Sequence, residues 1–245
     1  MFKKISDFIL DTLFPIKCIG CEKEKEWICP TCFSKLNLQQ EQTCPYCQRN
    51  ITPRGETCFH CKRKNRLDGL FVAGYYHNEL LQTAIHLYKY RFIQDLSFPL
   101  GKFLLKALHS YEIPLPDLIV PLPLHKYRQR WRGFNQSFLL AHFLSQNLLP
   151  HYSLPIKNVL KRIRFNRPQA SIHNHLQREK NIKGIFQLEK NVSPHFIKNK
   201  KIWLIDDVVT TGSTLNEATK ILKKAQAQSV WGIVLARQKT DIKNR

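Results

Sequence analysis

The sequence predicts an α/β domain on a doubly wound, mostly parallel sheet, preceded by a small cysteine-rich domain. Three observations predict it. Apolar runs of strand length alternate with segments of helical periodicity through most of the chain, as in successive βαβ units. Hydrophobic residues make up 43% of the 245, enough for a sizeable core and too many for a disordered polymer. All eight cysteines lie within the first 61 residues.

The chain starts "MFKKISDFILDTLFPIKC", in which Phe2, Ile5, Phe8, Ile9 and Leu13 fall on one side of a helix. Asp7 and Asp11 interrupt the apolar residues and no small-residue cleavage site follows, so we expect a docking helix, with a membrane-surface anchor as the alternative, rather than a secretory signal. No apolar run reaches the roughly 18 residues of a membrane span, so we expect no transmembrane segment.

The cysteines form four C-x-x-C pairs: Cys18/Cys21, Cys29/Cys32, Cys44/Cys47 and Cys58/Cys61. Two intervening residues let a tight turn aim both sulfurs at one point, and two such knuckles complete a tetrahedral S4 site. Eight thiolates therefore match two zinc ions. We expect sequential pairing, the first four cysteines on one ion and the last four on the other; spacing alone also allows an interleaved arrangement. A disulfide framework requires an oxidising compartment, and a redox C-x-x-C requires only one pair. His60 sits inside the last knuckle and is expected to be exposed rather than a ligand. Zinc here says little about function, because such ribbons bind nucleic acid, bind protein, or stiffen a domain with too little core of its own.

The run "KRKNR" after Cys61 marks a boundary, giving expected domains of 1–66 and 67–245. Beyond it, "DGLFVAGYY" reads as a strand, and "LLQTAIHLYKYRF" and "FPLGKFLLKALH" have helical spacing. "DLIVPLP" is a short buried strand stopped by prolines. "FNQSFLLAHFLSQNLL" is an apolar-striped helix with Gly133 before it. "KIWLIDD", "STLNEATKILKKAQA" and "SVWGIVLAR" read as strand, helix, strand.

Charge divides the chain unevenly. The formal net charge is +21, which favours polyanions: nucleic acid, phosphorylated ligands or anionic lipid. Residues 1–66 carry 12 basic and 7 acidic residues, and the remaining 27 basic and 11 acidic leave +16 beyond them. Two tetrathiolate zinc sites lower the first part to about +1. Residues 125–183 contain 12 Lys/Arg and a single acid, Glu179. Within that stretch Arg128, Arg130 and Arg132 alternate with Tyr127, Trp131 and Phe134, and guanidinium groups beside aromatic faces grip a phosphate backbone and stack bases. The alternative is a solvated basic face with the aromatics turned into the core. We take Arg128, Arg130, Trp131, Arg132, Arg162, Arg164, Arg167 and Arg178 as the candidate DNA-binding residues. His125, His173 and His175 are candidate general bases, although histidines in basic loops are ordinarily solvated.

In so basic a chain, "WLIDDVVTTGSTL" (203–215) sets two acids side by side where a strand ends. In an open parallel sheet, ligands bind beyond the carboxyl ends of strands. The following "TTGST" is a tight loop feeding a helix. Its N–H groups and hydroxyls form an anion site at the helix N-terminus, and Gly212 permits close backbone approach. Acids suit sugar hydroxyls or a metal, and the loop suits phosphate; together they suit a sugar phosphate. The stretch resembles the PRPP-binding motif of type I phosphoribosyltransferases. The resemblance implies a Rossmann-like phosphoribosyltransferase core, with Asp206 and Asp207 on the ribose hydroxyls. It also implies Thr210, Thr211, Gly212, Ser213 and Thr214 on the 5′-phosphate and Mg²⁺ on the pyrophosphate side.

The basic stretches resemble the ComF family of competence proteins, in which a P-x-P, an R-G-F-N-Q and a spaced Arg/Gln/Arg/Asn/Gly-x-Phe pattern precede the PRPP motif behind a zinc-binding segment. Matching positions are Pro121, Pro123, Arg132, Gly133, Phe134, Asn135, Gln136, Arg162, Gln169, Arg178, Asn181, Gly184 and Phe186. The resemblance spans nearly the whole chain. It implies a cytoplasmic role in natural transformation, assisting entry or handling of incoming single-stranded DNA, with competence or recombination proteins as partners and any membrane association made through them. Two rival readings are an active phosphoribosyltransferase in nucleotide salvage and a zinc-ribbon interaction module with a vestigial PRPP site. No residue identifies an acceptor.

Overall fold

The computed structural model describes residues 15–165 and 182–238. The expected N-terminal helix, Gln169, Arg167, Arg178, Asn181, His173 and His175 lie outside the described residues. In the cysteine-rich segment two short helices, α1 (Pro30–Ser34) and α2 (Phe59–Lys62), each begin at a knuckle. Then follow β1 (Gly69–Tyr75), α3 (Glu79–Tyr90), α4 (Ser97–His109), β2 (Leu118–Pro121), α5 (Lys126–Arg132), α6 (Gln136–Asn147), β3 (Leu160–Arg162), β4 (Phe186–Leu188), β5 (Lys201–Val209), α7 (Ser213–Lys224) and β6 (Ser229–Arg237). No described helix is long and apolar enough to cross a membrane.

Four strands form a parallel sheet in the order β1-β6-β5-β2. Both faces are covered, which is why its strands read as continuous apolar runs instead of alternating ones. On β5, Ile202 and Leu204 face the core under α7, with Leu215, Ala218 and Leu222. Trp203 and Ile205 face the opposite core, with Phe103 and Leu104 of α4 and Leu140 and Leu144 of α6. This is the α/β architecture the alternating pattern predicts. Two features differ from the sequence reading. The basic stretch 126–132, given no element there, is a helix, and β3 and β4 pair antiparallel outside the main sheet.

The R-G-F-N-Q stretch is a turn between two helices. Gly133 ends α5 with φ 81°, a conformation most side chains avoid. Phe134 is buried beside Tyr88 (ring centroids 5.5 Å apart), and the Asn135 side chain accepts from the Ser137 N–H at 3.1 Å to cap α6.

The cysteine-rich segment runs along the outer edge of β1. Leu38 pairs with Gly74 and Glu56 with Gly69, and the Gln39 and Leu70 N–H groups bond to the Ala73 and Gly55 carbonyls, each at 2.8 Å. Between these points the buried Gln42 side chain stands in for a strand, accepting from the Val72 N–H at 3.0 Å and donating to the Val72 carbonyl at 2.9 Å.

Candidate functional site

The eight cysteine sulfurs gather as two groups, Cys18/Cys21/Cys29/Cys32 and Cys44/Cys47/Cys58/Cys61, each with its sulfurs within 4.8 Å of one another. None is in a disulfide. Sulfurs about 2.3 Å from a tetrahedral zinc stand about 3.8 Å apart; Cys21 and Cys29 are 3.5 Å apart, Cys47 and Cys58 3.9 Å. The same backbone contact recurs in each group: the Cys29 N–H donates to the Cys18 sulfur at 3.3 Å, and the Cys58 N–H to Cys44 at 3.4 Å. The donor sets fit two zinc ions, grouped sequentially along the chain. His60 is exposed and stands outside the second group.

At the carboxyl end of β5 lies a cleft of about 210 Å³, with Asp206 and Asp207 on its floor and Thr210 and Thr214 at one end. Asp207 is buried and pairs with Lys89 near the end of α3, Nζ to Oδ1 at 2.8 Å; its Oδ1 also accepts from the Val208 N–H at 2.6 Å. Asp206 accepts from the Ser137 hydroxyl at 3.2 Å and the Asp207 N–H at 2.9 Å. Burial, and then the neighbouring Asp207 carboxylate, push the Asp206 carboxyl up to about 7. Burial opposes the charge of Lys89, but Asp207 outweighs it and raises the ammonium above its ordinary value.

The loop after β5 turns at Gly212, whose φ of 77° places it in the left-handed region and starts α7. The Thr211 and Ser213 hydroxyls are 2.6 Å apart beside it. Thr210, Gly212, Ser213 and Thr214, with Asp206, enclose a small hollow at the helix N-terminus.

Arg128, Arg132 and Arg162 line the wall of the cleft that contains both acids. Burial lowers all three from the ordinary guanidinium value, Arg162 to about 10. The Nε atoms of Arg132 and Arg162 are buried without a hydrogen-bond partner, a cost relieved by an anionic oxygen. The arrangement therefore offers hydroxyl acceptors on its floor, amides and hydroxyls at one end, and guanidinium groups on its wall.

The remaining described DNA candidates, Arg130, Trp131 and Arg164, are exposed on the outside. Trp131 stands edge-on to Phe92, ring centroids 4.7 Å apart. Tyr127 and Phe165 are also exposed and cluster with His125, with Arg128 lying 5.5 Å over the Phe165 ring. Phe134 belongs to the core instead. Two residues whose side chains bond to the acids, Lys89 and Ser137, escaped sequence reading. Lys89 is one lysine in an amphipathic helix, and only Ser137's place one residue beyond the matched Gln136 points to it.

Residues 135–245 match the phosphoribosyl transferase domain family and residues 9–62 the double zinc ribbon domain family. The class is thus a phosphoribosyltransferase-fold α/β domain behind a double zinc ribbon. The chain is 30% identical over 237 residues to Competence protein F of Haemophilus influenzae, covering 91% of this chain and 98% of that protein. It is 33% identical over 214 residues to DNA utilization protein YhgH of Escherichia coli, covering 83% and 88%. With Competence protein ComFC of Bacillus subtilis the identity is 29% over 225 residues, covering 88% and 86%. The chain belongs to this competence protein F family.

Proposed function

We propose that the protein is a competence factor that handles incoming single-stranded DNA in the cytoplasm and binds PRPP, or a related sugar phosphate, in the cleft at the end of β5. The observation that carries the ligand reading is convergence. Two acids, the N-terminus of α7 and three arginines from two other elements meet at one strand end. Asp206 and Asp207 take the ribose hydroxyls, and Thr210, Thr211, Gly212, Ser213 and Thr214 the 5′-phosphate. Arg128, Arg132 and Arg162 face the pyrophosphate, so these three move from the DNA surface to the ligand. Mg²⁺, entering with PRPP, supplies charge neutralisation on the pyrophosphate side.

Titration calorimetry of PRPP with Mg²⁺ tests this. The unaltered protein is expected to bind, and the Asp206→Asn/Asp207→Asn double variant to give no heat. No heat from the unaltered protein overturns the reading.

The DNA reading is supported by the exposed Tyr127, Trp131 and Phe165 beside Arg130 and Arg164, and by the names of the relatives. Binding of single strands should weaken steeply with salt as cation contacts release condensed counterions, and a flat dependence contradicts it. One observation also favours transfer chemistry: the cleft arginines are positioned to stabilise departing pyrophosphate. Pyrophosphate release from PRPP with a nucleobase, lost in the double Asn variant, is its signature.

A further inference from the structure

The Cys44/Cys47 knuckle of the second zinc group reaches the ends of the Gly212 loop. The Tyr46 hydroxyl, between Cys44 and Cys47, donates to Asn216 Oδ1 at 2.8 Å and accepts from the Leu67 N–H at 3.3 Å. Asn216 lies in the first turn of α7, and its own N–H bonds to the Gly212 carbonyl at 2.9 Å. The Arg66 N–H also donates to Asn216 Oδ1, at 3.3 Å. On the other side, Arg237 donates to Thr43 Oγ1 and to the Pro45 carbonyl, each at 3.4 Å. Arg237 is the register partner of Val209, the last residue of β5, and the next N–H, of Gln238, bonds to the Val209 carbonyl at 2.9 Å. The chain leaves Val209, turns at Gly212 and enters α7, and the knuckle is tied to this path before and after the turn.

Charge reinforces the tie. A zinc ion with four thiolates carries a net charge of −2; burial lowers the Arg237 guanidinium to about 10, and Cys44, one of those sulfurs, opposes that shift. Among the described residues, none of the ion pairs to a carboxylate includes Arg237. The first zinc group has no comparable connection: no hydrogen bond among the described residues joins it to the loop.

We propose that the second zinc centre, through Tyr46 and Arg237, is a positioning element that holds the 210–214 loop in the shape that receives phosphate. This rests on reading 206–214 as a sugar-phosphate site. Its consequence is that the double ribbon is not a single module. One ribbon belongs to the ligand site, and metal occupancy there sets ligand affinity.

The test compares Tyr46→Phe with Tyr111→Phe in the zinc-loaded full-length chain. Tyr111 is a matched control, because its hydroxyl also joins the cysteine-rich segment to the α/β domain, donating to the Gln39 and Gln40 carbonyls at 2.8 and 2.6 Å, away from the loop. Both variants are expected to retain two zinc ions per chain. In Tyr46→Phe, amide hydrogen exchange over residues 211–216 should quicken about three- to tenfold and the Kd for PRPP with Mg²⁺ rise by a similar factor, the effect of one hydrogen bond. Tyr111→Phe should leave both within about twofold. The same exchange in both variants overturns the proposal, as does faster exchange in Tyr46→Phe with an unchanged Kd. If the unaltered protein binds no PRPP, the sugar-phosphate reading fails, and the exchange comparison still decides whether the knuckle holds the loop.

Discussion

The two zinc ribbons share a sulfur arrangement and differ in what surrounds it. Three sulfurs of the first group, from Cys18, Cys29 and Cys32, are buried in the same core as Phe103 of α4 and Leu36. In the second group only Cys44 is buried, while Cys47, Cys58 and Cys61 are partly exposed. The first centre is thus part of the hydrophobic interior, and the second is hydrogen-bonded to the residues that flank the 210–214 loop. The same S4 chemistry supplies folding energy in one place and a held geometry in the other. Surroundings, not donor set, decide which.

The largest expected effect tests this difference directly. Cys29→Ser removes a ligand and leaves a hydroxyl in the core, so stability should fall by more than about 4 kcal/mol. Loss of the cooperative thermal transition would show it. Cys47→Ser should keep that transition at a lower midpoint with one zinc ion per chain, and should weaken PRPP binding at least about tenfold on the same metal-linkage argument. Equal collapse of both variants would erase the distinction between the ribbons.

A smaller effect is expected with pH. Asp206 is raised above its ordinary acid value, so between about pH 4 and 7 the folded chain holds a proton that the unfolded chain releases. Stability contributed by this group is therefore present at low pH and lost as pH rises through that window. PRPP affinity should move the other way, rising from pH 6 to 8 as the carboxylate that accepts ribose hydroxyls forms. Thermal midpoints and calorimetry across pH measure both trends, and Asp206→Asn should flatten each.

The smallest effects separate the first ribbon from the loop tied to the second, through one glycine in each. A Cβ on Gly20 would stand 2.9 Å from the Cys32 sulfur and 3.1 Å from Leu80, so Gly20→Ala should cost about 1–3 kcal/mol by overpacking. A Cβ on Gly212 would meet nothing closer than Val209 at 3.9 Å, and Gly212→Ala should cost about 1 kcal/mol through its positive φ alone. Denaturant midpoints distinguish the two, and a larger loss at Gly212 would mean that the loop is packed as tightly as the first ribbon.

The elements that sequence reading found are those whose signal is local. β5 announces itself as an apolar run reaching Asp206 and Asp207, although the strand continues to Val209, and α7 as an apolar stripe after "TTGST". The zinc groups were legible because a C-x-x-C turn fixes two ligands by itself. α5 was not, because none of its residues is buried and an unpacked basic helix carries no apolar period. β3 and β4 were missed because strands of three residues are defined by their partner, not by their composition. The cleft was legible on one side only. Its acids and loop are contiguous in sequence, whereas Lys89 and Ser137 reach them from separate helices, and the arginines read as a DNA surface turn inward at Arg128, Arg132 and Arg162.

The covering of β1 by the cysteine-rich segment bears on how the chain can be divided. β1 is an edge strand with six of its seven residues buried. The residues that bond along its free side, from Leu38 through Gln42 to Glu56, all precede residue 66, the boundary expected from the sequence. Cutting there would strip an apolar strand of its cover and offer its bare backbone to another copy, the usual start of sheet-to-sheet aggregation. The ribbon segment thus covers an edge as well as holding metal ligands, and a fragment beginning at residue 67 is expected to aggregate for a reason unrelated to zinc or ligand.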